Sequence, residues 1–253
     1  LEPRYGRLYA KTVLRPLAEQ VVDALDVHPG HTVGDLMCDG GTLGVALGSA
    51  VGNIGRVVLI DTDAELLAAA MAEVSVCGCH VTTHLAAGAA AALGDASLDR
   101  VASLCTYGFW SDGSLLDTAQ RAIRPTGRAA VLTWDPSLPP SHEAALVEAL
   151  RDVVGIQSQF LTQCLASPDA EQSLGWEAVA INDVVRFDGV SEYWAAMLVE
   201  RPLARELEHQ PEHVMVAVRV ACQRALQPWI AADGTMRIPV RASLWCSRPG
   251  GDV

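Results

Sequence analysis

The sequence predicts an α/β protein built on a doubly wound, mostly parallel, seven-stranded sheet. Three observations carry this expectation. Short and nearly continuous apolar runs, typical of strands buried on both faces, recur at residues 32–36, 56–61 and 128–134. Helix-compatible stretches separate them, and strands alternating with helices pair in parallel through right-handed crossovers. The first run leads into an acid and a glycine cluster, Asp35-Leu36-Met37-Cys38-Asp39-Gly40-Gly41, and the second ends in Asp61. That acid follows the glycine cluster by about 20 residues, the separation used by nucleotide-binding βαβ units.

Each element follows from local chemistry. Residues 11–27 predict an amphipathic helix whose regular part starts near Arg15, because Pro16 is tolerated in a first turn and not in a helix interior. Leu17, Val21, Val22 and Leu25 share one face, and Pro29-Gly30 turns the chain into the first strand. The second strand, 56–61, is followed by a helix over 64–76. Cys77-Gly78-Cys79-His80 then predicts a helix-terminating turn in which Gly78 takes positive φ. No second Cys/His pair stands at zinc-site spacing, so a metal reading is disfavoured. Strands are expected at 81–85, 100–105 and 128–134, with a helix over 115–123 stopped by Pro125-Thr126-Gly127. Beyond a loop at 135–140 come a helix over 141–154 and another opened by Ser167-Pro168-Asp169 and ended by Gly175. A sixth strand at 177–187, helices at 191–198 and 211–226, a turn at 232–235 and a last strand at 236–245 complete the chain. The expected organisation is a single domain, 1–253, with a helical cap over 188–230 inserted between the last two strands.

Bulk properties narrow the function. The chain has 253 residues, is 50% hydrophobic and 19% charged, and can bury a sizeable core. Its net charge is -12 and it has no basic run, which argues against nucleic acid and against anionic membrane surfaces. No apolar run reaches transmembrane length, and Leu1-Glu2-Pro3-Arg4-Tyr5-Gly6-Arg7 lacks a signal-peptide core. The seven cysteines are an odd set scattered on apolar segments, as in reduced intracellular proteins, so the expected location is cytoplasmic.

Several motifs, in order, resemble the class I S-adenosylmethionine-dependent methyltransferases, especially the small-molecule branch akin to quinone-biosynthesis enzymes. Residues 15–33 look like the helix and turn before that family's first strand. Asp35-Leu36-Met37-Cys38-Asp39-Gly40-Gly41 aligns with its acid-x-Gly-x-Gly-x-Gly turn, and Val58-Leu59-Ile60-Asp61-Thr62-Asp63 with its ribose motif. Residues 95–101, 124–128 and 232–240 are similar to later family segments. The resemblance covers nearly the whole chain and implies a Rossmann-like methyltransferase fold with S-adenosylmethionine as cofactor. It places Asp35, Met37, Asp39, Gly41, Asp61, Thr62, Ala89 and Cys105 around that cofactor. Asp35 would meet the methionine amino group, or else satisfy N–H groups of the turn. Asp61 would hold the ribose hydroxyls, or else serve as a solvated helix cap with Asp63 as its rival.

Departures from the pattern are as informative. Met37 and Asp39 replace the first two glycines, and Gly88-Ala89-Ala90 stands where the family often has Gly-Asp-Ala. Tyr5, Tyr9, Tyr107, Trp110 and Trp134 are the candidate aromatic wall for an acceptor, or else ordinary packing. His84 is the one weak candidate for a base. The leading expectation is therefore methyl transfer to a small, fairly apolar acceptor, such as a secondary metabolite, by a protein whose candidate assembly is a homodimer. The alternative is a methyltransferase-like protein that has lost methyl transfer and acts as a cyclase, an isomerase or a non-catalytic partner. A nicotinamide-dependent enzyme is weaker, because Asp39-Gly40-Gly41-Thr42-Leu43-Gly44 leaves that fingerprint incomplete.

Overall fold

A computed structural model describes residues 8–86, 93–105, 113–134, 141–155, 175–197 and 209–247. A π-helical turn, Ala10–Leu14, leads into α1 (Arg15–Leu25), with Pro16 in its first turn as expected and Asp26 closing it in the left-handed region. There follow β1 (Thr32–Leu36), α2 (Thr42–Val51), β2 (Arg56–Asp61), α3 (Ala64–Ser75), β3 (His80–Leu85) and β4 (Leu98–Leu104). The remainder comprises α4 (Gly113–Ala122), β5 (Ile123–Trp134), α5 (Ser141–Val154), β6 (Trp176–Phe187), α6 (Val190–Met197), α7 (Glu212–Leu226) and β7 (Met236–Ser247). The seven strands form one sheet in the order β3-β2-β1-β4-β5-β7-β6. Among these strands β1 pairs in parallel with β2 and β4, β2 with β3, and β4 with β5. The strand order reverses between β1 and β4, which is where doubly wound sheets bind their ligands, at the carboxyl ends of the strands.

By internal packing the chain divides into two units. One holds residues 14–133, 166–180 and 243–253, the other 1–13, 134–165 and 181–242. In the first, β1 and β2 are buried along nearly their whole length. Leu36, Val58, Ile60, Leu98, Val101, Ala129 and Val131 join Ala119 and Ala122 of α4 in one core cluster, with Trp176 packed into it. The continuous apolar runs of these strands reflect burial on both faces. In the second unit α7 packs along α5, and the ring of Phe187 meets Tyr193 of α6 edge-on at 5.4 Å between centroids. The two helices α6 and α7 follow β6 and precede β7 in the chain.

One boundary is corrected. Pro125-Thr126-Gly127 was expected to be a turn between a helix and a strand beginning at Arg128. Instead β5 begins at Ile123, directly after α4, and the three residues lie within it. The pairing jumps from Leu98↔Ile123 to Arg100↔Arg128, so the extra residues of β5 bulge out of the ladder, which relieves Pro125 of a donor role it cannot fill. The predicted helix opened by Ser167-Pro168-Asp169 and the loop at 135–140 lie outside the described residues. Among the described residues no helix is long and apolar enough to cross a membrane.

Candidate functional site

The turn between β1 and α2 keeps the conformation of a glycine turn without most of its glycines. Met37 has φ 57°, Asp39 φ 46° and Gly41 φ 85°. The left-handed region costs an L-residue about 1–2 kcal/mol, less for Asp, whose short polar side chain bonds locally. Five non-glycine residues among those described have positive φ; Met37 and Cys105 directly follow the carboxyl ends of β1 and β4, and Asp39 lies two residues past Met37. Strain of this kind persists where surrounding structure enforces it, and it concentrates at functional sites. Here the enforcement is visible. The Cys38 N–H donates to the Ile60 carbonyl at 3.0 Å, the Gly41 N–H to the Cys38 carbonyl at 2.8 Å, and the Asp39 N–H to Asp61 Oδ2 at 2.9 Å.

Met37 directs its half-buried side chain onto the core cluster of Leu36, Val58 and Ile60, while Asp39 is exposed. The retained glycine has a second reason to be there. A Cβ on Gly41 would come within 2.8 Å of the Ala70 Cα on α3, so the turn and that helix pack too closely for any side chain. Gly41 also starts α2 with no side-chain cap, which leaves the first N–H groups of the helix without that usual acceptor.

Asp35 lies in the floor of this turn. It is 1% exposed, and among the described residues its Oδ2 has no hydrogen-bond partner. Burial pushes its carboxyl up to about 8. The Gly44 N–H opposes that rise, while the neighbouring Asp61 and Asp39 carboxylates add to it. Burial likewise pushes the Cys38 thiol up, with the same three acids contributing. Among the described residues the Gly44 N–H is the one donor that bears on Asp35, and it comes from α2.

Asp61 is 3% exposed and differs in kind. Its Oδ2 accepts from Asp39 N–H, and its Oδ1 from Asp63 N–H at 3.0 Å. Its reading as a solvated helix cap is corrected: Asp63 is the cap of α3, its Oδ1 accepting from Glu65 and Leu66 N–H at 2.9 and 3.2 Å. A carboxylate offers about four lone-pair sites, so Asp61 retains acceptor capacity after these two bonds.

The remaining candidates scatter. Thr62 is exposed beside Asp61, and Cys105 is half-buried with its N–H donating to the Leu132 carbonyl at 2.8 Å. His84 is half-buried on β3, opposite Ile60 in register. Tyr9 and Trp134 belong to the other unit and are buried there; the Tyr9 hydroxyl donates to Glu143 Oε1 at 3.2 Å. Ala89, Tyr5, Tyr107 and Trp110 lie outside the described residues. Two positions escaped the sequence reading. Ser103 on β4 is fully buried and its hydroxyl donates to the Leu36 carbonyl at 3.0 Å, tying the end of β4 to the end of β1. At Gly44, a Cβ would meet Val74 and Leu59 side chains at 2.8 and 2.9 Å and Asp35 Oδ2 at 3.3 Å. A serine in a strand carries no motif signal, but Gly44 stood in the glycine cluster and its spacing was legible. The Cys77–His80 turn forms as expected, with Gly78 at φ 77°.

The strand order, with a buried acid near the end of β1, a left-handed turn after it and a second buried acid ending β2, is that of the Rossmann-like class I methyltransferase fold. Solved structures agree. A candidate methyltransferase of an antibiotic biosynthesis pathway from Anabaena variabilis superposes with a TM-score of 0.59 at 13% identity, over 94% of this chain and 99% of that one. A candidate type II methyltransferase from Anaeromyxobacter dehalogenans gives 0.57 at 16% identity, over 92% and 95%. A candidate methyltransferase from Bacillus halodurans gives 0.57 at 14%, over 91% and 97%. At these identities the likeness is one of fold. No family model matches the chain, and no curated protein matches its sequence.

Proposed function

We propose that this protein binds S-adenosylmethionine at the β1 turn and transfers its methyl group to a small, fairly apolar acceptor. The observation that carries the reading is the turn itself: Met37 and Asp39 accept left-handed backbone where glycine would be relaxed, in front of a buried acid with an unpartnered oxygen. A chain with no ligand to serve at this turn would gain by relaxing it.

The residues present fit the group. Asp35 supplies a buried carboxyl oxygen lacking a donor, the partner an amino group requires. The uncapped start of α2 suits a carboxylate, since helix N-termini bind anions through free N–H groups. Asp61 has remaining acceptor sites for hydroxyl donors, and its two backbone bonds fix its orientation. Met37 adds its side chain to the core cluster, so the bulk that replaces glycine is absorbed by packing. When bound, the cofactor supplies an electrophilic methyl group on a sulfonium; the task left to the chain is to hold an acceptor in line with it. The class of acceptor is carried by the sequence resemblance alone, and His84 remains the candidate base.

Calorimetry with S-adenosylmethionine and S-adenosylhomocysteine tests the cofactor reading. Binding at micromolar ligand, weakened at least tenfold in Asp61→Ala, is the expected result. Absence of binding at millimolar ligand would sink it and favour the reading in which methyl transfer has been lost.

A further inference from the structure

We propose that this site takes up its nucleoside cofactor in exchange for a proton: Asp35 is a neutral carboxylic acid in the ligand-free protein and becomes a carboxylate when a ligand's ammonium group is bound at the β1 turn. The inference rests on the cofactor reading above and concerns how that site discriminates among ligands.

The geometry around Asp35 is lopsided. From β2 it faces the Asp61 carboxylate, and from the turn it faces Asp39 and the Cys38 thiol. From α2 comes only the Gly44 N–H. The apolar side chains of Leu59 on β2 and Val74 on α3 close in at the same point, within 3 Å of where a Gly44 Cβ would be. Among the described residues no basic side chain bears on Asp35. Among the same residues its Oδ2 has no donor. A carboxylate so placed would be a buried charge without a partner, beside two further acids, and protonation removes that penalty. The elevated value of about 8 is the same statement in titration terms.

A ligand that brings its own cation reverses the balance. The O–H bond of Asp35 breaks, the proton leaves to solvent, and the resulting carboxylate is compensated by the ammonium. Ligands of the same nucleoside that lack the amino-acid tail offer no such compensation and leave Asp35 protonated. The protein thereby selects for an α-amino group by charge, and more strongly as pH rises toward 8.

The test is calorimetry of the wild-type chain with S-adenosylhomocysteine and with 5′-methylthioadenosine, each at pH 7 in phosphate and in Tris, whose ionisation enthalpies differ. Release of about 0.9 proton per S-adenosylhomocysteine is expected, and none for methylthioadenosine. Affinity for S-adenosylhomocysteine should rise about tenfold from pH 6 to pH 7 and level off above pH 8, with methylthioadenosine flat throughout. Asp35→Asn should abolish both the proton release and the pH dependence. If that variant does not fold, the two-ligand comparison on the wild-type protein decides alone. Tight, pH-independent binding of S-adenosylhomocysteine without proton release would overturn the inference and leave the cofactor reading standing. Failure of both ligands to bind would overturn both.

Discussion

The two ends of the parallel strands treat the same residue type in opposite ways. At the amino ends, Asp99 at the start of β4 is fully served: Oδ2 accepts from Thr32 N–H at 2.8 Å, and Oδ1 is paired with Arg124. Partial burial works against its charge, but the Thr32 N–H and the Arg124 guanidinium prevail and hold its carboxyl below the ordinary value. Next to it, Arg100 donates from Nε and Nη2 to the Leu25 and Asp26 carbonyls at the end of α1. At the carboxyl ends, Asp35 is more deeply buried, has one donor facing it and two acids beside it, and its carboxyl is pushed up. Backbone strain does not divide so cleanly: Met37, Asp39 and Cys105 are left-handed after the carboxyl ends, and Asp26 and Ala96 are left-handed ahead of β1 and β4. The carboxylate at one end is satisfied within the protein; the one at the other end keeps the acceptor capacity that the proposed cofactor site requires.

Substitutions can break this contrast. The largest effect is expected at Gly41→Ala, where the new Cβ meets the α3 backbone and positive φ is also required. A loss of about 3 kcal/mol or more in chemical denaturation is predicted. A variant as stable as wild type would show that the turn and α3 separate easily.

The two aspartates should impose pH dependences of opposite sign. Asp35 has a folded value raised to about 8, so its contribution to stability is fully present below the unfolded value near 3.8 and is lost as pH rises toward 8. Asp35→Asn should flatten the stability profile between pH 4 and pH 8 and leave the variant the more stable form at pH 8.5. Asp99 has a lowered folded value, so its contribution is present above pH 4 and is lost only as pH falls through the acid range. Asp99→Asn should cost about 1 kcal/mol at pH 7, because the site is partly exposed, and converge with wild type at pH 2. Urea denaturation across pH measures both; parallel profiles for the two variants would erase the contrast.

The smallest effect is expected at Asp39→Gly. The side chain is exposed and φ is 46°, so glycine relieves strain while giving up little packing, for a gain of about 1 kcal/mol or less. A destabilised variant would mean that the Asp39 carboxylate itself helps hold the turn.

The chain order of strands and helices was legible because burial on both faces leaves continuous apolar runs, and because proline and glycine punctuate them. Pro16 marked the start of α1 and Gly78 the turn after α3 for local steric reasons. Pro125-Thr126-Gly127 misled for the converse reason: a turn signature inside a bulge has the same residues as a turn between elements. For the site, the sequence by itself determined which residues occupy the turn and the end of β2, since Asp35, Met37, Asp39, Gly41 and Asp61 follow from spacing. Their conditions were decided only by the tertiary structure. Whether Met37 obstructs or packs depends on the core cluster it joins, and whether Asp61 or Asp63 caps α3 depends on where that helix begins. Whether Asp35 is satisfied depends on which groups from β2 and α2 surround it. Charge state and strain are properties of neighbours brought together by folding, and no local pattern encodes the neighbours.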